Sequence, residues 1–228
     1  MTNNNVLIIS KDSLWTRELF DSLSLEPSKE FKYFLLSEFT EETIASINPK
    51  WIFFFHWSEK VPKSIYNNYR CAVIHTSNLP EGRGGSPIQN QILDGIMNTR
   101  VNIIEMVDKF DAGGIYCSRG VTLQGTLTDI WLAISSAAKK LILECTSKDL
   151  RPKEQIGSPK NYKRRRDNEI NFGKCKNLLQ VYDVVRMLDT AHKEYPKSFC
   201  EIGDFILEFS RAKLEEGSIL SDVRISKK

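Results

Sequence analysis

Trp51-Ile52-Phe53-Phe54-Phe55 is an unbroken apolar run between Lys50 and His56. Extended, such a run has no side that suits water, so a strand made from it must be covered on both faces. Shorter runs of the same kind stand at residues 6–9 (VLII) and 71–74 (CAVI). Strands of this type belong to parallel sheets in α/β layer folds. The segments between them agree. Residues 13–25 read as an amphipathic helix with Leu14, Phe20 and Leu23 turned inward, 31–36 as a strand, 41–47 as a short helix capped by Thr40, and 62–69 as a helical link. Ser86, a preferred N-cap, and Pro87, suited to the first helical position, open a helix over 86–98. Residues 101–107 and 115–123 read as strands joined at Asp111-Ala112-Gly113-Gly114 with no helix between them, which predicts an antiparallel or mixed addition to the sheet. A long helix follows over 128–146, with Ile130, Ile134, Ala137 and Leu141 on one face.

The totals exclude several classes. A chain of 228 residues with 41% hydrophobic content can build a real core. A net charge of +3 argues against a dedicated nucleic-acid binder, though not against a local basic patch. The five cysteines include no CxxC pair, and the N-terminal MTNNN is polar, so a cytoplasmic protein with free thiols is expected. No apolar stretch approaches transmembrane length. No GxGxxG follows the first strand, so the dinucleotide fingerprint is missing. No His/Cys/Asp spacing fits a zinc site, and no metal is expected.

The chemical interest lies between Cys71 and Asp111. The apolar run 71–74 delivers His75 to its end, a loop with Pro80, Gly82, Gly84 and Gly85 follows, and the strand 101–107 ends just before Asp111. A histidine titrates near neutrality and serves as a proton acceptor or, once charged, as a donor to a developing oxyanion. A carboxylate beside it orients the ring or favours its charged form. Glycines let a backbone approach a ligand closely, and a helix start at Ser86 leaves N–H groups for an anion or a carbonyl. Taken alone, His75 fits a structural role as well, and Asp111 fits a turn former.

The blocks HTSNLPEGRGGSPIQNQILDG and KFDAGGIY resemble the formyltransferase family that includes methionyl-tRNA formyltransferase and the sugar N-formyltransferases. The family pattern is Asn-x-His, a Ser-Leu-Leu-Pro-like loop, Arg-Gly-x-x-Pro and then Leu-Asp-x-Gly. It falls here on His75, Ser77, Leu79, Pro80, Arg83, Gly84, Pro87, Asp111 and Gly113. KRRRDNEI, QVYDVVRMLDTAHKEYPKSF and FSRA look like the short C-terminal part of the sugar enzymes, with a finer likeness to those of the pseudaminic-acid pathway. The resemblance implies an α/β fold: a Rossmann-like formyltransferase domain with a mixed, mostly parallel sheet, and a small C-terminal α+β appendage. It implies formyl transfer from 10-formyl-tetrahydrofolate to the primary amine of a nucleotide-activated amino sugar of the 4-amino-4,6-dideoxy type. It places His75 as the main acid/base with Asp111 as its partner. Trp57, Pro80, Arg83, Gly84, Gly85 and Ser86 become the folate wall, while Ser77 and Gln89, or its neighbour Asn90, face the sugar. A homodimer is expected by the same likeness, with no nucleic-acid or membrane partner.

One departure from the pattern matters. The position of the family asparagine, two residues before the histidine, holds Val73. Residues two apart share a strand face, so Val73 should face the site without a donor to offer. The oxyanion then relies on His75, on loop N–H groups, or on a substitute side chain, with Asn78 one candidate, although it reads more readily as a turn residue, and Ser77 a weaker one. The cluster from Lys163 to Arg166 reads either as a solvated charge run or as a diphosphate contact made by Lys163, Arg164 and Arg165. Trp57 reads as pocket wall or as core. The expected division is 1–150 for the catalytic domain, 151–170 for a basic linker and 171–228 for a small subdomain, with a helix over 177–189 (Leu178, Val181, Val185 and Leu188 on one side) and short strands at 205–209 and 223–225. Two rivals stand beside this reading: formyl transfer to another amine, such as an aminoacyl-tRNA or glycinamide ribonucleotide, or an inactive folate- or nucleotide-sugar-binding relative.

Overall fold

Trp51, Ile52, Phe53, Phe54 and Phe55 are all fully buried, as an unbroken apolar strand requires. They form the third strand of a computed structural model that describes residues 4–26, 31–165, 171–193 and 195–228. The N-terminal part runs β1 (Asn5–Ser10), α1 (Leu14–Ser24), β2 (Lys32–Leu36), α2 (Glu41–Ile47), β3 (Trp51–Phe55), α3 (Lys63–Asn68), β4 (Cys71–Thr76), β5 (Glu81–Gly84), α4 (Pro87–Leu93), β6 (Asn98–Glu105), β7 (Ile115–Thr122) and α5 (Leu127–Ser147). Six strands pair in the order β2-β1-β3-β4-β6-β7. The first four in that order are parallel, and β6 and β7 add antiparallel. Alternate strand residues enter two apolar layers. Val6, Ile8, Phe53 and Phe55 meet Trp15, Leu19 and Ile134 of α1 and α5, while Leu7, Ile9, Ile52 and Phe54 meet Ile44 and Ile65 of α2 and α3. Each such side chain contributes roughly 1.5–3 kcal/mol when fully buried.

The chain continues through β8 (Lys160–Tyr162), a 3-10 turn at Phe172–Lys174, α6 (Leu178–Arg186), β9 (Ser198–Ile202), β10 (Phe205–Glu215) and β11 (Ser218–Lys227). The last three form an antiparallel sheet. Val184, Met187 and Leu188 join the same apolar cluster as α1 and α5, so the C-terminal part packs back onto the first. Among the described residues no helix is long and apolar enough to cross a membrane.

Several expectations need correction. Leu14 is 58% exposed, and α1 turns Trp15, Leu19 and Leu23 inward instead. Trp15, Leu19 and Leu23 form the i, i+4, i+8 stripe that faces the core, and Leu14, about 100° before Trp15, falls outside it. The helix expected over 86–98 ends at Leu93, where Gly95 turns left-handed (φ 74°), and residues 98–100 pair with β7. Leu178 is exposed, and the buried face of α6 is carried by Val184 and Val185. The strands expected at 205–209 and 223–225 are the apolar parts of two much longer ones. The segment read as a linker is pinned to the sheet. Lys153 exchanges backbone hydrogen bonds of 2.7 and 3.0 Å with Ile115, and β8 pairs in parallel with β5. Residues 166–170, with Arg166 of the basic cluster, lie outside the described residues.

Candidate active site

β4 continues through Thr76, so His75 sits inside its last turn of pleat rather than beyond it, and it is 6% exposed. Its Nε2 lies 2.9 Å from the Gly82 carbonyl oxygen, which can only accept, so Nε2 is the donor. Its Nδ1 lies 3.4 Å from Oδ1 of Asp111. Asp111 arrives from the turn after β6 with φ 53°, a left-handed conformation that a non-glycine residue adopts only when its surroundings hold it there. Its Oδ2 accepts the Gly84 N–H at 2.9 Å. Its backbone carbonyl and that of Gly113 both accept from Nε2 of Gln155, each at 2.8 Å. Oε1 of Gln155 in turn accepts from Nε and Nη2 of Arg83, at 3.0 and 2.6 Å. Both nitrogens of the His75 ring thus face acceptors, and a ring that has taken up a second proton is satisfied on both sides.

The pair opens onto a cavity of about 760 Å³, within the usual range for small-molecule sites. Phe54, Trp57, Val61, Ile104 and Met106 supply apolar wall, and Trp131, Leu188, Tyr195 and Pro196 supply more. Lys11, Arg164 and Arg165 bring positive charge to it. Of the residues expected from the sequence, Trp57, Gly84, Gly85, Ser86, Gln89, Arg164 and Arg165 line this cavity together with His75 and Asp111. Val73 lines it too, as its strand position requires.

Others do not reach it. Asn78 is exposed, because its carbonyl closes a turn with the Glu81 N–H (3.1 Å), so it cannot replace the family asparagine. Ser77 is buried against Gly82, and Asn102 holds its carbonyl at 2.7 Å. Pro80 is buried beside Gly157. Arg83 is engaged by Gln155, not by the cavity. Lys163 is exposed, and its carbonyl accepts from Asn90. Asn90 also donates to the Gly85 and Ser86 carbonyls, so its amide braces the loop and is not left for a sugar. Ser86 has φ 48° and makes no side-chain cap; its Oγ accepts the Arg165 N–H at 3.1 Å. The loop N–H groups are also taken: Gly84 donates to Asp111 and Gly85 to the Tyr162 carbonyl (3.2 Å).

Two features escaped the sequence reading. Gln155 carries no motif or periodicity. The second is an aromatic cluster in which the His56 ring lies 4.7 Å from Trp131 and its Nε2 meets Tyr195 Oη at 3.1 Å. Its only sequence signal was the inward spacing of Trp15 and Trp131 on their helices. Beside the site, a hydrogen bond from Lys160 holds the Asp94 carboxyl below its usual range, and burial pushes the Tyr162 hydroxyl up to about 12. Among the described residues no group of three or more His, Cys, Asp or Glu is placed to hold a metal ion.

Comparison with known proteins bears on this geometry. A family profile described as "Methionyl-tRNA formyltransferase, C-terminal domain" matches residues 165–226. The solved methionyl-tRNA formyltransferase from Clostridium thermocellum is 33% identical, with a TM-score of 0.92 over 98% of this chain and 99% of that one. The curated methionyl-tRNA formyltransferase of Malacoplasma penetrans (strain HF-2) is 26% identical over 208 residues, 85% of this chain and 64% of that protein. The chain spans about three fifths of the length of the first curated relatives it matches. The formyltransferase PseJ from Anoxybacillus kamchatkensis, solved with UDP-4,6-dideoxy-4-formamido-L-AltNAc and tetrahydrofolate, shares the fold at 18% identity, with a TM-score of 0.56 over 77% of this chain and 94% of that one.

Proposed function

We propose a function from one premise: this chain belongs to the methionyl-tRNA formyltransferase-like family. It moves a formyl group from 10-formyl-tetrahydrofolate to a primary amine held beside His75. The observation that carries this reading is the His75 ring, set between the Gly82 carbonyl and the Asp111 carboxylate at the wall of the cavity. The folate supplies an activated formyl carbon. The apolar wall of Phe54, Trp57, Val61, Ile104 and Met106 suits its planar ring system.

The chain's own groups manage the proton. Nε2 of His75 already donates to Gly82, so Nδ1 is the nitrogen left to accept from the attacking amine. The 3.4 Å gap to Asp111 closes as the ring becomes charged, because the carboxylate then has a cation to bind. The proton returns to the departing folate nitrogen, and the ring is restored. With Val73 in place of a donor and both ring nitrogens already facing acceptors, the charged ring steadies the oxygen that gains charge through its positive charge and not through a free N–H. Residues 1–150 carry this chemistry, Lys153, Gln155 and β8 brace it, and Leu188, Tyr195 and Pro196 complete the cavity wall.

For the acceptor, the reading is a nucleotide-linked amino sugar of the 4-amino-4,6-dideoxy type. Arg164 and Arg165 in the cavity wall support it, since guanidinium forks suit phosphate oxygens. The similarity to methionyl-tRNA formyltransferases favours a second acceptor, the amine of an aminoacyl-tRNA. Competition of the two amines for labelled 10-formyl-tetrahydrofolate decides between them. His75→Asn is expected to lower turnover at least ~100-fold with the fold intact by circular dichroism. Wild-type turnover in that variant would overturn the assignment.

A further inference from the structure

We propose that Gln155, gripped by Arg83, is a positioning residue for Asp111. The inference rests on the reading of His75 and Asp111 as the proton-handling pair. Neither Gln155 nor Arg83 lines the cavity.

The Gln155 amide is fully engaged, and its partners fix its orientation. The Arg83 guanidinium can only donate, so it takes Oε1; the Asp111 and Gly113 carbonyls can only accept, so they take Nε2. The amide therefore clips the two carbonyls that bracket the Asp111 turn, the turn held at φ 53°. The carboxylate end of Asp111 is held separately, by the Gly84 N–H. Arg83 and Gly84 are neighbours in β5, so both holds lead to one strand. The segment that carries Gln155 is itself anchored on either side, at Lys153 against Ile115 and at β8 against β5. Removing the amide leaves two carbonyls and a guanidinium without partners. The turn then relaxes, Asp111 swings away from Nδ1 of His75, and the cavity wall stays as it was.

The test is Gln155→Met, which keeps length and loses every hydrogen bond, with Arg83→Lys as the milder variant. Gln155→Met should lower kcat about 10- to 100-fold while KM for folate and for the amine stays within about 2-fold, since displacement of a reacting group by ~1 Å costs on that order. Arg83→Lys should fall between it and wild type. In Arg83→Met, Gln155→Met should add little, because the two act as one device. Folate affinity, measured by titration calorimetry, should be unchanged in all of them. Loss of folate affinity in Arg83→Lys would instead make Arg83 a folate ligand and overturn the proposal. An unchanged kcat in Gln155→Met would overturn it equally. A readout independent of turnover is the nitrogen-15 spectrum of the His75 ring at one fixed pH. Its signals should move in Gln155→Met, and signals that stay in place count against the clamp even in a protein with no measurable formyl transfer. A wild type with no turnover beside a moved ring signal would sink the formyl-transfer reading and leave the clamp standing. If Gln155→Met does not fold, Arg83→Lys carries the same two comparisons.

Discussion

A methyl group added at Gly113 would overlap the Glu105 carbonyl oxygen, a backbone atom that cannot step aside. Gly113 is therefore required by close approach, two residues from the Asp111 carboxylate it helps to aim. Gly113→Ala should cost ~1–3 kcal/mol of stability, as overpacking does, and should abolish turnover with it. Gly95 is the control: unlike Gly113 it has a left-handed φ of 74°, but an added Cβ there meets nothing within 4 Å. Gly95→Ala should cost about 1 kcal/mol of backbone strain and leave turnover alone. Denaturant midpoints and turnover, measured on both variants, check the pair; equal activity loss in the two would refute the link to Asp111. At this scale the sequence was partly legible. His75, Asp111 and Gly113 stood in a motif, and the structure puts the first two within 3.4 Å of each other. Asn78 read as a turn residue or as a substitute donor because the two look alike in a loop, and its exposure in the turn to Glu81 favours the first. Gln155 was invisible because a lone glutamine in a polar stretch has neither period nor motif.

The pairing of β5 with β8 shows why elements are harder to read than residues. Glu81-Gly82-Arg83-Gly84 and Lys160-Asn161-Tyr162 have no apolar alternation, so nothing in either marks a strand. They are strands because each completes the other's backbone hydrogen bonds over the loop that holds Gly84. Glycine is required on one side: a Cβ at Gly84, with φ 100°, would stand 2.5 Å from the Tyr162 carbonyl oxygen. Tyr162 gives this pairing a dependence on pH. Its ordinary pKa of 10.0 is pushed up to about 12, chiefly by burial and then by the hydrogen bond to Asp94. A group with a raised folded-state value contributes stability that is whole below the unfolded value and disappears as pH climbs through the folded one. The contribution of Tyr162 should therefore fade between pH 10.0 and about 12. Asp94 works in the opposite direction. Its carboxyl is lowered by Lys160, so its share is whole above 3.8 and is lost as the solution becomes more acid. Unfolding midpoints across the alkaline range should fall less steeply in Tyr162→Phe than in wild type, and parallel curves would exclude Tyr162 as the cause.

On the scale of the whole molecule, the two ends of the chain share one core. The two-faced burial of the inner strands was readable from unbroken apolar runs, because such runs leave a strand no exposed side, whereas the order β2-β1-β3-β4 was not. That so short a C-terminal part packs back onto the first was readable from its length, but the contacts that join them were not, since they come from opposite ends of the sequence. Trp15 lies 5.0 Å from His192, His56 bonds to Tyr195 across 139 residues, and Val184, Met187 and Leu188 sit in the cluster that holds Trp51 and Trp131. A C-terminal sheet with Ile202, Phe205, Leu220 and Ile225 exposed buries too little of its own surface to stand alone. It gains support from α6, which contacts both β10 and α4, and from Phe172, Tyr195 and Phe199, which pack against the main core. The two parts should therefore unfold together. All four tryptophans precede residue 132, so their fluorescence reports the N-terminal part, while far-ultraviolet circular dichroism reports both. The two probes should give coincident denaturant transitions, the signature of one cooperative unit. An earlier transition seen by dichroism alone would mean that the C-terminal sheet and α6 melt separately. The cavity wall made by Leu188, Tyr195 and Pro196 would then be lost before the sheet that carries His75.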